Sequence, residues 1–284
     1  MNRVQIGKLD VVIARACNLN CDGCVTYSNF PNIKGILRWK DQRENIFAWL
    51  DRLDVKHLTL FGGEPLLNPD LELYVRNINE YLDKTDLRTG IHIQTNGIRL
   101  LQNLHIIKLA CEIGRFNIDV SYHTSHPAAV QRITEGVEAA KQIIADTLPA
   151  DVRSPLTITN YVGNLWVDHY KLDDNGLPLP SRDYDSDHYK LAHSMCHIKD
   201  FLNLYDGRLY KCPPMAVLND FLDSYKIDNA NWENWIDYKS CGIEDNNWQE
   251  WIENQQGPER VCNMCFDHPG RTIIHDSLPK YPIT

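Results

Sequence analysis

Basic charge is in short supply in this 284-residue chain: 29 lysines and arginines face 38 aspartates and glutamates, a formal net charge of −9. A field of that sign repels phosphate backbones, which makes nucleic acid a poor partner. Long apolar runs are missing too, and none approaches the roughly 18 residues of a membrane span. Met1–Asp10 holds no apolar stretch behind a positive charge, so no secretory signal is expected. Long repeats, low-complexity tracts and lipidation signatures are also lacking. These absences predict a cytoplasmic protein with no membrane and no nucleic-acid partner.

Cysteine, by contrast, is plentiful, with nine residues. Cytosolic disulfides rarely persist, and an odd number cannot complete a disulfide framework. The cysteines cluster as Cys17, Cys21 and Cys24, then Cys196 and Cys212, then Cys262 and Cys265. Clusters of this kind point to metal. Cys111, among apolar neighbours in a helical segment, reads as a small buried hydrophobe. Cys241 is an alternative metal ligand.

Up to about residue 165 the chain alternates strand-like and helix-like segments. Strands are predicted over Leu9–Ile13, Val55–Phe61, Ile91–Gln94, Phe116–Tyr122 and Leu156–Tyr161, with Asn164–Asp168 a candidate sixth. Asp41 is expected to cap a helix carrying Ile46, Trp49, Leu50 and Leu53. Asn68–Pro69 is expected to start a second, with Leu71, Tyr74, Val75, Ile78 and Leu82 along one face. Leu101–Ile113 and the segment opened by Pro127 read as two more. This order predicts an α/β fold, an open sheet or partial barrel of about six parallel strands with helical crossovers. Residues 173–187, rich in aspartate, proline and glycine, read as a loop. Asp206–Gly207 between apolar segments signals a β-hairpin. The expected division is therefore residues 1–170, a linker over 171–195, and a small cysteine-rich unit over 196–284.

Cys17, Cys21 and Cys24 follow the first strand as Cys-x3-Cys-x2-Cys. Three thiolates leave one iron of a four-iron, four-sulfur cluster open, which is the need when a cosubstrate must bind iron. Three cysteines also supply most of a zinc site, although a nearby fourth ligand is missing. Cys196, Cys212, Cys262 and Cys265 would saturate a second cluster, and four cysteines with a Cys-x2-Cys pair equally suit zinc.

The cysteine loop, followed by Phe61-Gly62-Gly63-Glu64-Pro65 at the second strand end, resembles the radical S-adenosylmethionine superfamily. The resemblance implies a partial (β/α) barrel, a 4Fe-4S cluster on the three cysteines, and S-adenosylmethionine as cosubstrate. It also implies a role for Gly62, Gly63 and Glu64 at the cosubstrate's amino group, for Thr95 and Asn96 near its ribose, and for Ser121 and Arg132 at its carboxylate. The sequence departs at Gly23, where many members carry an aromatic residue. The later cysteines resemble the twitch domain, a shortened SPASM domain with one auxiliary cluster, because no cysteine follows Cys265. The expected catalyst is thus a radical oxidoreductase with two 4Fe-4S clusters and an external electron donor such as flavodoxin or ferredoxin.

The expected reaction is dehydrogenation of a small hydroxylated substrate: a sugar, cyclitol or nucleoside. Peptide modification is the alternative, weakened because the cysteine loop begins at residue 17 with no precursor-binding segment before it. An electron carrier would need no cosubstrate site. His123, Arg153, Tyr161, Trp166 and His169 are candidate substrate contacts or proton acceptors. Trp232, Trp235, Trp248 and Trp251 are expected to pack the small unit's core.

Overall fold

The computed structural model describes residues 3–167, 169–227, 229–265, 272–274 and 276–280. Its main sheet contains β1 (Val4–Ala14), β2 (Leu53–Gly62), β3 (Gly90–Thr95), β4 (Phe116–Tyr122), β5 (Leu156–Asn160), β6 (Phe201–Tyr205) and β7 (Arg208–Tyr210), in the order β7-β6-β1-β2-β3-β4-β5. Strands β1 to β6 run parallel, and β7 closes a hairpin antiparallel to β6. Helices α1 (Trp39–Arg52), α2 (Leu71–Lys84), α3 (Leu104–Glu112) and α4 (Pro127–Thr147) make the crossovers. The hairpin from the cysteine-rich segment thus extends the same sheet through β1.

Strand alternation sorts the sheet into two chemically different faces. Leu9, Val11 and Ile13, Leu58 and Leu60, Ile91 and Ile93, Phe116, Ile118 and Val120, and Leu202 and Leu204 share one core with the helices. The helical stripe Leu71, Tyr74, Val75, Ile78 and Leu82 is buried against it, as its spacing predicts. The opposite face carries Asp10, His57, Thr59, His92, Asp119, Ser121 and Asn203. Open sheets of parallel strands place their ligands at the carboxyl ends of those strands.

Three local expectations are corrected. Asp41 does not cap α1: Arg38 holds the cap position, and Asp41 lies in the first turn, where a carboxylate complements the helix dipole. Helix α2 starts at Leu71, and Asn68 instead donates to Ile13 O and Leu37 O, pinning the end of β1. The candidate sixth strand does not join the sheet; Leu165–Val167 pairs antiparallel with Thr272–Ile274, and Asp168 lies outside the described residues. Only four residues separate β5 from Leu165, too few for a parallel crossover. The sixth parallel position is filled by β6 on the far side of β1.

A second core joins the cysteine loop to the later segment: Tyr27 and Ile33 pack with Tyr170, Met215, Phe221, Trp232, Trp235 and Met264. Among its contributors are α6 (Pro213–Tyr225) and the short α7 (Glu233–Ile236), while α5 (Tyr189–Met195) precedes β6. The four tryptophans divide between the cores. Trp232 and Trp235 lie in the second, whereas Trp248 and Trp251, on α8 (Trp248–Gln255), pack against the first. The predicted loop over 173–187 contains half of a small antiparallel pair, Lys171–Leu172 with Pro178–Leu179. No described helix is long and apolar enough to cross a membrane.

Candidate active site

The cysteine loop leaves β1 at Ala14 and lies against the end of β2. Gly63 N donates to Ala14 O at 2.7 Å and Glu64 N to Ala16 O at 2.9 Å. A Cβ on Gly62 or Gly63 would collide with Ala14 O or Ala16 O, and Gly62 also has φ +138°. The two glycines are therefore required for one backbone to dock on the other. Gly23 has φ +63°, a left-handed conformation that glycine adopts without strain.

The sulfurs meet hydrogen-bond donors. Leu19 N donates to Cys17 Sγ at 3.5 Å, Asn96 Nδ2 lies 3.8 Å from the same atom, and Thr26 Oγ1 lies 3.4 Å from Cys24 Sγ. Burial raises the thiol pKa of Cys17, and raises that of Cys21 to about 12, so metal binding here must displace protons. Among the described residues, no group of three or more His, Cys, Asp or Glu side chains converges as a single metal ion requires. Three sulfurs on one loop with N–H and O–H donors around them fit an iron–sulfur cluster, whose properties depend on such hydrogen bonds.

Glu64 is fully buried and already well occupied. Oε1 accepts from Leu66 N at 2.9 Å and Thr95 Oγ1 at 2.6 Å, and Oε2 accepts from Asn96 N at 2.9 Å. Burial raises its carboxyl pKa, and these three bonds pull it back down. Thr95 and Asn96 thus contact Glu64 directly, and Asn96 Nδ2 reaches Asn18 Oδ1 at 2.7 Å. Ser121 is buried at the end of β4, and Arg132 is half-buried in the second turn of α4.

On the polar face, His57 Nδ1 lies 3.2 Å from His92 Nε2, and His92 Nδ1 lies 3.4 Å from Asp119 Oδ2. Burial lowers the His57 pKa, helped by His92. Asp10 is buried with Lys8 Nζ 3.0 Å from Oδ1, and burial raises its carboxyl pKa. Asn203 opposite it on β6 is fully buried, with neither side-chain polar atom paired. Sequence reasoning missed this face. Its signal was polar residues two apart within otherwise apolar runs, at Lys8 and Asp10 and at His57 and Thr59.

The later cysteines gather around α6. Cys212 is its N-cap, Cys196 follows α5, and Cys262 lies in the helical turn Arg260–Met264. Charges on Cys196 and Cys262 both act on Cys212, although burial is what chiefly raises its thiol pKa. Cys265 Sγ faces His169 Nδ1 at 3.4 Å, and burial lowers that histidine's pKa to about 4. Lys211 Nζ, buried beside them, donates to Gln255 O at 2.6 Å and Gly257 O at 2.7 Å, with Glu259 Oε1 at 3.2 Å. Cys241 is elsewhere, buried in the first core and bridged to Leu209 by two backbone hydrogen bonds. Cys111 is half-buried.

The other candidates scatter. His123 and Tyr161 stack at the C-terminal ends of the strands, with rings 5.2 Å apart. Arg153 precedes β5, at the opposite end of the sheet. His169 belongs with Cys265, and the side chain of Trp166 lies outside the described residues. Tyr27, also missed, is fully buried at φ +53° and links the two cysteine groups: its loop carries Cys24, and its hydroxyl reaches Met264 Sδ at 3.4 Å.

A model of the radical SAM superfamily matches residues 11–163. The probable GTP 3′,8-cyclase of Methanococcus aeolicus is 30% identical over 168 residues, covering 57% of this chain and 54% of that protein. The GTP 3′,8-cyclase of Aquifex aeolicus is 31% identical over 129 residues, covering 44% and 38%. The chain thus spans about half the length of these relatives, or less. The crystal structure of BtrN in complex with AdoMet and 2-DOIA aligns with a TM-score of 0.53 at 16% identity, covering 94% of this chain and 95% of that one, a likeness of fold.

Proposed function

Because the chain belongs to the radical SAM superfamily, we propose that it is a two-cluster radical enzyme that oxidises a small hydroxylated molecule. Cys17, Cys21 and Cys24 would hold a 4Fe-4S cluster with one iron open to S-adenosylmethionine. Cys196, Cys212, Cys262 and Cys265 would hold the auxiliary cluster of a twitch unit spanning residues 196–284. When bound, these groups supply a 5′-deoxyadenosyl radical and an electron acceptor. The balanced outcome is alcohol plus S-adenosylmethionine giving carbonyl, 5′-deoxyadenosine, methionine and a proton. The electron that starts the cycle, supplied by an external donor such as flavodoxin or ferredoxin, is returned at its end.

The chain's own residues bind, orient and move the proton. Three of the lone-pair directions of Glu64 are taken, and a remaining one suits the cosubstrate's ammonium. Gly62 and Gly63 bring the backbone close, Thr95 and Asn96 are held in place by Glu64, and Ser121 and Arg132 suit the cosubstrate's carboxylate. The observation that carries the substrate reading is the polar sheet face. Half-buried His92 and Asp119 offer hydrogen bonds to hydroxyl groups, and Asp10, Thr59 and Asn203 are buried on the same face. The His57–His92–Asp119 chain can take up the hydroxyl proton.

A nucleotide substrate is the second reading, favoured by the names of the relatives. Against it, the described polar face sets only Lys8, His57 and His92 beside Asp10 and Asp119, where a triphosphate calls for clustered arginine or lysine. The test is mass spectrometry of anaerobic reactions with sugars, cyclitols, nucleosides and GTP. The proposal expects a hydroxylated compound to stimulate 5′-deoxyadenosine release and to lose two hydrogens. Stimulation by GTP alone, giving a product of unchanged mass, would replace it with the cyclase reading.

A further inference from the structure

Residues 276–280 cross the cysteine loop as a strap. Leu278 and Pro279 pair antiparallel with Asn20 and Leu19, and Lys280 N donates to Asn18 O at 2.9 Å. The other end is tied to the mouth of the sheet. Ser277 N and Oγ both donate to His123 O, and Asp276 accepts from Ser125 N and Oγ at 2.6 Å each. What the strap delivers is one cation. Lys280 Nζ donates to Ser28 O and, at 3.4 Å, to Phe30 O, both carbonyls of the cysteine loop.

Burial lowers the Lys280 pKa, while Cys17, Cys24 and Cys21 pull it back up, so all three thiols lie within its field. Its hydrogen-bond acceptors are neutral, and no described carboxylate forms an ion pair with it. The later cysteine group offers a contrast. Lys211 is held by two carbonyls in the same way, but Glu259 at 3.2 Å offsets its charge. Among the described residues, the lysine beside the first cysteines therefore has no carboxylate partner of its own, whereas the one beside the later group has Glu259.

We propose that Lys280 tunes the first cluster: its ammonium, clasped by Ser28 O and Phe30 O, stabilises the added electron and raises the cluster's reduction potential. The proposal rests on the reading of Cys17, Cys21 and Cys24 as cluster ligands. Reduction by the external donor adds one negative charge to a partly buried site, where a fixed cation acts with little screening. Lys280 acts on the cluster through its field and is not a catalytic residue.

The experiment is a redox titration of the anaerobic holoenzyme, following the electron paramagnetic resonance component that changes when S-adenosylmethionine is added. That component separates the first cluster from the second. Lys280→Gln keeps a donor for the two carbonyls and removes the charge, whereas Lys280→Arg keeps the charge. The reduction equilibrium should fall about tenfold in Lys280→Gln, or 59 mV for one electron, and stay near wild type in Lys280→Arg. The component insensitive to S-adenosylmethionine should move in neither. An unchanged potential in Lys280→Gln with full iron content would overturn the proposal. Loss of the first cluster from Lys280→Gln would also overturn it, by making the lysine part of the scaffold. A wild type lacking both iron and the sensitive component would instead remove the cluster reading on which the proposal stands.

Discussion

Replacing Glu64 separates the latch its carboxylate forms from the ammonium contact proposed for it. In Glu64→Ala, Leu66 N and Asn96 N lose their buried acceptor and the Thr95 hydroxyl must turn elsewhere. A buried donor left unpaired costs roughly 1–3 kcal/mol, and release of the carboxylate's own burial cost offsets part of the sum. The net local loss should be about 2–4 kcal/mol, enough to speed amide exchange at Leu66 and Asn96 by about 30-fold or more. Glu64→Gln keeps Oε1 as acceptor and sets an NH2 against Asn96 N, so its exchange should fall between the two. Both variants should bind S-adenosylmethionine about 100-fold more weakly, since each lacks the charge for the ammonium. The pH dependence has a definite sign. With the free carboxyl pKa raised by burial, binding of an ammonium expels the proton, so affinity rises with pH up to that pKa and levels off until the ammonium itself titrates. Glu64→Gln should abolish the slope. Hydrogen exchange with mass-spectrometric readout, beside anaerobic binding titrations, checks each part. Wild-type exchange rates at Leu66 and Asn96 in Glu64→Ala would refute the latch, and wild-type affinity in Glu64→Gln would refute the ammonium contact.

Two further outcomes follow from the later cysteines. Lys211→Met leaves Glu259 and two buried carbonyls without their cation, which should destabilise the protein by about 2–4 kcal/mol and be visible as a lower urea midpoint. A midpoint within error of wild type would show that the buried ammonium contributes nothing. Cys262→Ala with Cys265→Ala should still cleave S-adenosylmethionine yet fail to complete substrate oxidation, measured on protein shown to be folded and to hold the first cluster. Full oxidation by that variant would remove the electron-accepting role.

The legible part of the fold was the part written locally. Apolar runs of strand length, the α2 stripe and Pro127 at the start of α4 each announce an element within a few residues, and their order predicts parallel strands. The hairpin at Asp206–Gly207 was legible for the same reason, but its pairing with β1 was not, because more than 190 residues separate Asp10 from its partner Asn203. The site divided likewise. Cysteine spacing and Gly62–Gly63–Glu64 are local signals, and the structure adds why glycine is needed: two backbones touch there. Glu64 as a latch on Thr95 and Asn96, Tyr27 between the cysteine groups, and Lys280 on its strap depend on contacts across tens to hundreds of residues. No periodicity or motif marks them.

Metal analysis of anaerobically purified protein decides whether the two separate sets of cysteines hold two iron–sulfur clusters. Wild type should hold about eight iron and eight sulfide per chain, and Cys17→Ala/Cys21→Ala/Cys24→Ala about half of each. Zinc as the main metal, or an undiminished iron content in the triple variant, would contradict the two-cluster reading.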